Sequence, residues 1–217
     1  MLAILRLIAF MAYIFLRIYA KLHPENLDFD CLKLVCPHYC FPPVGTVSTS
    51  LLARVIRLLA KRSPVLDLGT GIGTLALTLA RLDVYVVAVD LDLKCLRYAK
   101  INAKLNRLYQ YLDTLACNGT SALRFNAFHL VVVNPPYLPL TPRLPHDLQV
   151  CGGARAEVTM DMLVWGLTVV RRGGLLIYAL SSLSRLKPFG KAWPVARRVT
   201  PLDVVTVYVM KVARLSG

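Results

Sequence analysis

A glycine-rich loop between a short apolar run and a helix constrains the fold of this chain more than any other feature. The run Val65–Leu68 follows the chain breaker Ser63-Pro64 and has the composition of a buried strand. The loop Gly69-Thr70-Gly71-Ile72-Gly73 comes next, and residues 75–81 continue as a helix. Glycines allow a tight turn with positive φ and let the backbone approach a ligand closely. The pattern predicts an α/β domain with a nucleotide-type site at the end of this strand.

The loop differs from the fingerprint of dinucleotide-binding proteins, which requires G-x-G-x-x-G. Its third glycine comes one residue early, and Thr74 occupies the position where that fingerprint has its last glycine. Asp67, near the end of the strand, would repel a pyrophosphate but suits a ligand that carries an ammonium group. A structural glycine turn that binds no ligand is the alternative.

A second apolar run ends in an acidic residue where a ribose would bind. Residues 84–89 are rich in valine and predict a strand, and Asp90 follows them directly. An acid at this position, about twenty residues after the glycines, can accept both ribose hydroxyls. Leu91 can pack on an adenine face, whereas Asp92 is placed to cap a helix over residues 93–108.

The third motif, Asn134-Pro135-Pro136-Tyr137, follows the β-branched run 128–133. Two prolines end a strand at once because neither can donate a backbone N–H. The Asn134 side chain and the Pro135 carbonyl can each accept an N–H, and Tyr137 can stack on a flat group. The motif therefore predicts recognition of a planar group that carries NH₂, either a carboxamide or the exocyclic amine of a base.

Together these motifs resemble the class I S-adenosylmethionine-dependent methyltransferases that methylate planar nitrogens, over about residues 41–215. The resemblance implies that Asp90 and Leu91 hold the adenosine, and that Asn134, Pro135 and Tyr137 are the catalytic residues, with Asn134 also near the cofactor. It implies that Asn118 accepts the adenine amine in place of the usual acid, although Asn118-Gly119 is equally a turn signal. The residues that would hold the methionine end are Asp67, Gly69, Thr70, Gly71 and Gly73, and those that would bind the substrate are Asn134, Pro135, Pro136 and Tyr137.

Within that class, two segments resemble the HemK-type release-factor glutamine methyltransferases of the archaeal and eukaryotic branch. They are the extended motif Asn134–Pro139 and the stretch Gly152–Asp161, which precedes an apolar helix to Val170. The chain departs from the family in residues 43–47, where both acids of the upstream motif are missing and Pro43 and Thr46 are the residues that can be carried over.

The resemblance implies methylation of the glutamine in the Gly-Gly-Gln loop of a release factor, and a small zinc-binding activator protein as a partner. The alternative is an RNA or DNA methyltransferase that acts on adenine N6 or cytosine N4 of a flipped or single-stranded base. The net charge of +14 fits attraction to RNA or to a ribosome-associated partner, but a solvated basic surface is the plainer explanation.

The fold expected from this resemblance is an α/β, Rossmann-like methyltransferase. It has a mostly parallel seven-stranded sheet with helices on both faces and an antiparallel C-terminal strand. Residues 1–40 would form an apolar helix and extension, and residues 41–217 the catalytic domain. Further elements are a helix over 48–60 capped by Ser48, a loop over the acceptor pocket at 138–153, a strand at 175–180 after Gly173-Gly174, and a strand at 204–212.

The first twenty residues are almost wholly apolar, with Arg6, Tyr13 and Arg17 forming one thin polar stripe on a helix. The uninterrupted apolar run Leu7–Leu16 is well short of the ~18–20 residues that a membrane span requires. No small-residue cleavage site of a signal peptide follows in residues 20–24. We expect a helix that packs on the domain or on a partner, rather than membrane attachment, and a cytoplasmic enzyme.

Three cysteines cluster near the N-terminus, at positions 31, 36 and 40, with His38 and His23 close in sequence. Their spacing lacks the C-x-x-C pair that indicates zinc, so we expect no metal and instead buried thiols or a disulfide. Cys95, Cys117 and Cys151 are expected to be packing residues.

Overall fold

The central element of the fold is a seven-stranded sheet. The computed structural model describes residues 2–213, with the side chains described from residue 7 onward. The helices are α1 (Leu2–Leu22), α2 (Val47–Leu59), α3 (Thr74–Ala80), α4 (Leu93–Leu105) and α5 (Glu157–Val169). The strands are β1 (Asn26–Phe29), β2 (Leu32–Val35), β3 (Val65–Leu68), β4 (Val86–Asp90), β5 (Leu112–Ala116), β6 (Phe128–Val133), β7 (Val170–Ser181), β8 (Ala192–Val199) and β9 (Val204–Lys211).

The strand order is β5-β4-β3-β6-β7-β9-β8, and the strands from β5 to β7 are parallel. Strand β9 runs antiparallel to both β7 and β8. The predicted fold class, a mostly parallel sheet with an antiparallel C-terminal strand, is therefore confirmed.

Helices cover both faces of the sheet because its central strands are apolar on both faces. Every residue of β3 is buried, as are five of the six residues of β6. One apolar cluster joins α2, α3 and α4 to alternate sheet residues such as Val65 and Val132, and a second joins α5 to Leu66 and Val133.

The strand register places the candidate site. Leu68 of β3 pairs with Val89 of β4 on one side and with Val133 of β6 on the other. The chain moves outward from β3 to β4 and β5, then returns to the opposite side of β3 at β6. Such a switch point opens a crevice at the carboxyl ends of the strands. Gly69, Asp90 and Asn134 each come one residue after this row, so the three motifs meet at one edge.

A buried amide ties the N-terminal extension to the domain. Strands β1 and β2 form an antiparallel hairpin, which the sequence did not predict. Asn102 of α4 accepts a hydrogen bond from Val35 N at 2.7 Å and donates to Val35 O and to Ile72 O at 3.1 and 3.0 Å. The hairpin, α4 and the glycine loop are therefore held by one side chain.

Three predicted element boundaries are wrong. Helix α2 begins at Val47 after the cap residue Thr46, whose hydroxyl donates to Pro43 O at 2.6 Å, so Ser48 lies inside the helix. Helix α4 ends at Leu105, because the Asn106 side chain turns to the backbone of β2 and Arg107 adopts a positive φ. Strand β7 includes the two glycines that were expected to precede it, since its pairing with β6 shifts register there.

The cysteines depart from expectation at two positions, because Cys31 is exposed and unpaired and Cys95 is bonded. Cys95 was expected to be a packing residue, but it forms a disulfide with Cys40 because the first turn of α4 faces the loop that follows β2. Cys31 is exposed and Cys36 is buried, with Cys36 Sγ 3.9 Å from His23 Nε2. Within the described residues, no three His, Cys, Asp or Glu side chains converge as metal ligands would.

Helix α1 packs on the domain, one of the two arrangements that the sequence favoured. Its inner face contacts a small apolar cluster around Leu138 and Leu183. The Tyr13 hydroxyl donates to Asp147 Oδ1 at 2.8 Å, and Asp147 lies in the 3₁₀ turn Pro145–Gln149 of the long loop after β6. None of the described helices has the length and hydrophobicity needed to cross a bilayer.

The disulfide yields a stability prediction. Cys40 and Cys95 are 55 residues apart, so the bond removes substantial conformational entropy from the unfolded chain. The double variant Cys40→Ser/Cys95→Ser should lose about 3–4 kcal/mol of unfolding free energy in urea titrations. A reductant should destabilise the wild type by a similar amount and leave the double variant unchanged. Equal sensitivity of both proteins to the reductant would contradict the pairing.

Candidate active site

The glycine loop is held in place by Asp67. This carboxylate is 1% exposed, and its Oδ2 accepts hydrogen bonds from Thr70 Oγ1 at 2.6 Å and from Ala76 N at 2.9 Å. Burial raises the pKa of Asp67 to about 6, against the lowering effect of these two bonds. Asp67 therefore braces the loop against α3 while it also lines the cavity described below.

Asp90 braces the other side of the loop. Its Oδ2 accepts from Gly71 N at 2.7 Å, and its Oδ1 accepts from Asp92 N at 2.8 Å. Burial raises the pKa of Asp90, and hydrogen bonds from the backbone oppose this effect. Each carboxylate oxygen retains a lone pair for a further donor. The side chain of Asp92 caps α4 through Lys94 N, as the sequence predicts.

The three glycines of the loop have different surroundings. Gly71 has a φ of +56° and would meet nothing within 4 Å if it carried a Cβ, so the backbone is open there to a ligand. Gly69 lies against the end of the flexible Met162 side chain. A Cβ on Gly73 would lie 2.9 Å from Ala99 Cβ, so this glycine allows α3 to pack on α4 and is not among the residues that line the cavity.

The amide nitrogen of Asn134 is hydrogen-bonded, whereas its amide oxygen is not. Its Nδ2 donates to Thr49 Oγ1 at 3.1 Å, whereas its Oδ1 is buried and accepts no hydrogen bond from the described residues. A buried acceptor without a donor is uncommon in folded proteins and points to a ligand. The neighbouring Pro136 carbonyl accepts from Thr159 Oγ1 at 2.6 Å, which fixes the turn after Asn134.

Tyr137 is half-buried beside Asn134 and lines the same cavity. Burial, with a smaller effect from the Asp203 carboxylate, raises the pKa of Tyr137 to about 12. The ring therefore stays neutral at physiological pH and offers a flat apolar wall rather than a base.

A cavity of about 840 Å³ joins the glycine loop to the Asn134 turn. The predicted site residues that line it are Asp67, Gly69, Thr70, Gly71, Asp90, Leu91, Asn118, Asn134, Pro135, Pro136 and Tyr137. The long loop after β6 covers one side with Leu148 and Val150, in agreement with its predicted place over the acceptor pocket.

Several lining residues come from segments that the sequence did not assign to the site. Thr49 and Ser48 reach the cavity from the first turn of α2, whereas Thr46, the residue carried over by resemblance, does not line it. Leu16 of α1 and Phe41 also line it. Thr46 was carried over because it follows Pro43 where the family's upstream motif has its threonine, but Thr49, three residues further on, is the threonine that lines the cavity.

The far end of the cavity lies between Leu91 and α5. Leu91 is 60% exposed and Trp165 of α5 lies against Gly119, where a Cβ would come within 2.4 Å of the indole ring. Asn118 both lines this end and forms the predicted turn, since its carbonyl accepts from Ser121 N at 3.2 Å. No feature of the sequence distinguished Trp165 from an ordinary core residue.

The cavity thus has two chemically different ends. Around the glycine loop, two carboxylates and open backbone suit a ligand that carries hydroxyl and ammonium groups. Around Asn134, a free amide oxygen, the Pro135 carbonyl and an aromatic ring suit a flat group with N–H donors. The one cavity of about 840 Å³ joins these two ends.

The known proteins that this chain resembles include methyltransferases of several kinds. Residues 46–140 match the family model of the methyltransferase small domain. A release factor glutamine methyltransferase of Shewanella oneidensis is 32% identical over 136 residues, which cover 61% of this chain and 44% of that protein. A tRNA (uracil(54)-C(5))-methyltransferase of Pyrococcus horikoshii is 30% identical over 120 residues, 55% of this chain and 28% of that protein. The matches therefore span less than half of either relative.

A solved structure shows the same fold at low sequence identity. The tRNA m1G37 methyltransferase of M. jannaschii superposes with a TM-score of 0.60 at 16% identity, over 87% of this chain and 56% of that one. Its match extends across the sheet beyond the segment covered by the family model. Residues 46–140 of this chain are thus similar to the methyltransferase small domain, and the sheet as a whole has the fold of this solved methyltransferase.

Proposed function

We propose that this protein is an S-adenosylmethionine-dependent N-methyltransferase that acts on the side-chain amide of a glutamine in a translation release factor. The observation that carries the proposal is the buried Asn134 Oδ1, an unused acceptor on the wall of the cavity. The Pro135 carbonyl is a second acceptor beside it. Two adjacent acceptors favour a group that brings two N–H donors, as a primary carboxamide and the exocyclic amine of a base both do, and the choice between these is made below.

The residues at the other end of the cavity fit S-adenosylmethionine. The lone pairs of Asp90 suit the ribose hydroxyls, and the open backbone at Gly71 leaves room for the methionine portion. The Asp67 carboxylate suits its ammonium group, because ionisation of this buried acid is favoured by a nearby positive charge. Leu91 and Trp165 offer apolar surfaces for the adenine ring.

The chain's own contribution to methyl transfer is orientation. When bound, S-adenosylmethionine supplies an electrophilic methyl group. An amide nitrogen is a weak nucleophile because its lone pair is delocalised into the carbonyl. Asn134 and the Pro135 carbonyl accept its hydrogens, which fixes the nitrogen and stabilises the positive charge that develops on it as the nitrogen–carbon bond forms and the methyl–sulfur bond breaks. One of the two hydrogens then leaves as a proton to solvent, so the methylated amide is neutral. Tyr137 stacks on the flat group, and Thr49 holds the Asn134 amide in place.

The choice of a release-factor glutamine as the substrate is supported by the motif resemblance and by the names of similar proteins. Relatives named release factor glutamine methyltransferases include one from Deinococcus radiodurans that is 40% identical over 89 residues. The rival is a nucleic-acid amino-methyltransferase, favoured by the net charge of +14 and by the tRNA-modifying relative. A release factor presents the carboxamide in a loop, so no base has to be flipped. The small zinc-binding activator protein stays an expectation from resemblance.

The substrate is tested with labelled S-adenosylmethionine, the protein, and either a release factor or total RNA. We expect label on the glutamine of the Gly-Gly-Gln loop, located by mass spectrometry of the release factor. A release factor with that glutamine changed to alanine is the matched control and should stay unlabelled. Methylated adenine or cytosine in RNA, with the release factor untouched, would replace this proposal by the rival one.

Cofactor binding is tested at Asp90. The variant Asp90→Ala should bind S-adenosylmethionine ~1.5–3 kcal/mol more weakly in calorimetry, the range for a hydrogen bond to a charged group. Asp113→Ala removes an exposed acid that bonds Tyr85, away from the cavity, and should bind like the wild type. Thermal unfolding of both variants separates lost affinity from a loosened glycine loop. Unchanged affinity in Asp90→Ala would contradict the assignment.

The chemical step is tested at Asn134. Asn134→Ala should leave cofactor affinity nearly unchanged while methyl transfer falls by ~10²-fold or more, as for lost positioning contacts. Thr49→Val removes the hydroxyl that holds the amide and should lower kcat by roughly 5–10-fold, the equivalent of one hydrogen bond. Thr49→Ser restores a hydroxyl and should recover most of the rate. Full activity without Asn134 would disprove the acceptor site for either substrate class.

A further inference from the structure

The outer face of α1 carries a continuous stripe of exposed apolar side chains. Its members, single residues or adjacent pairs, recur every three or four residues, so they lie on one side of the helix. Their exposure ranges from 38% at Ile14 to 77% at Leu22. The residues of this outer stripe are Leu7, Phe10, Met11, Ile14, Phe15, Ile18 and Leu22. A patch of this size on a protein surface marks an interaction site.

The stripe cannot turn inward to bury itself, because the opposite face of α1 is fixed. Ala9 and Ala20 are fully or almost fully buried, and Leu16 lines the cavity. Tyr13 is bonded to Asp147, and the Tyr19 hydroxyl donates to the Val44 carbonyl. Hydrogen bonds at two levels of the helix therefore set its rotation, and the apolar stripe points away from the domain.

Basic residues lie along one side of the stripe. Helix α1 contains no acidic residue, and its described part carries Arg17 and Lys21. Arg143 lies beside it, since Arg143 N and the Tyr13 hydroxyl bind opposite oxygens of Asp147. The whole chain carries a net charge of +14, so a second copy would be repelled. An apolar helix face with a cationic border matches a surface that is anionic outside and apolar just beneath.

We propose that α1 is an interfacial anchor that docks the protein on an anionic lipid bilayer. The helix lies in the plane of the membrane surface, with the outer stripe among the upper acyl chains and the basic residues at the headgroups. Phe10 and Phe15 supply the aromatic surface that such helices use. An interfacial helix needs one apolar face rather than a segment that spans the bilayer. The short length of the apolar run Leu7–Leu16 therefore does not exclude this kind of membrane attachment. The inner face stays packed on the domain.

The test is co-sedimentation of the full chain with vesicles. Wild type should bind vesicles of phosphatidylcholine mixed with phosphatidylglycerol at least tenfold better than vesicles of phosphatidylcholine alone. Phe10→Glu and Phe15→Glu should each weaken binding to the anionic vesicles by about tenfold or more. The matched control is Phe125→Glu, because Phe125 is 76% exposed but lies before β6, at the opposite edge of the sheet from Asn134. It should bind like the wild type.

Three results of the vesicle assay would overturn the proposal. They are no binding by the wild type, equal binding to both vesicle types, or equal loss of binding in Phe125→Glu. A dimer in light scattering that Phe15→Glu dissociates would assign the stripe to a second copy instead. Circular dichroism of the variants checks that α1 remains folded. Cofactor binding should be unchanged in Phe10→Glu and Phe15→Glu. A negative result in the vesicle assay would therefore leave the proposed methyltransferase function untouched.

Discussion

The register of three parallel strands is the constraint on which the candidate site depends. Leu68, Val89 and Val133 lie in one row across β3, β4 and β6. The chain leaves the sheet after Leu68 and Val133, and β4 ends one residue after Val89, so the next residues are Gly69, Asp90 and Asn134. A slip of one residue in either pairing would turn Asp90 or Asn134 to the opposite face of the sheet. The site is therefore a consequence of strand pairing in the most buried part of the molecule.

Buried polar groups transmit this constraint to the loops. Asp67 holds the glycine loop through Thr70 and Ala76, and Asp90 holds it through Gly71. Asn102 adds a third support from α4 and extends it to the β1–β2 hairpin. Each of these groups would be costly to bury without partners. Asp90 and Asn102 find theirs in backbone groups, and Asp67 finds its partners in the Thr70 hydroxyl and Ala76 N, so the loop is held from three sides.

Local signals in the sequence identified the fold and the motif residues. The strand before Asn134, the cap at Asp92 and the turn at Asn118 depend on neighbours within a few residues, so their patterns are readable. Thr49, Trp165 and the Cys40–Cys95 bond depend on elements far apart in the chain. Nothing in residues 93–97 reveals that the first turn of α4 faces the loop at Cys40. The hairpin was missed because its strands are only four residues each and its turn, Asp30-Cys31, has positive φ at both residues without the glycine that usually signals such a turn.

Helix α1 takes part in both proposals, the methyltransferase site and the docking on an anionic lipid bilayer. Its inner face contributes Leu16 to the cavity and Tyr13 to the loop that covers the cavity, while its outer face carries the apolar stripe. A surface that binds the outer face therefore holds a helix that is also part of the acceptor end of the site. Binding there would stiffen α1 and, through Tyr13 and Asp147, the 3₁₀ turn above the pocket. The acceptor pocket, rather than the cofactor loop, is the part of the site that would respond to docking, because the contacts of Asp67 and Asp90 do not involve α1.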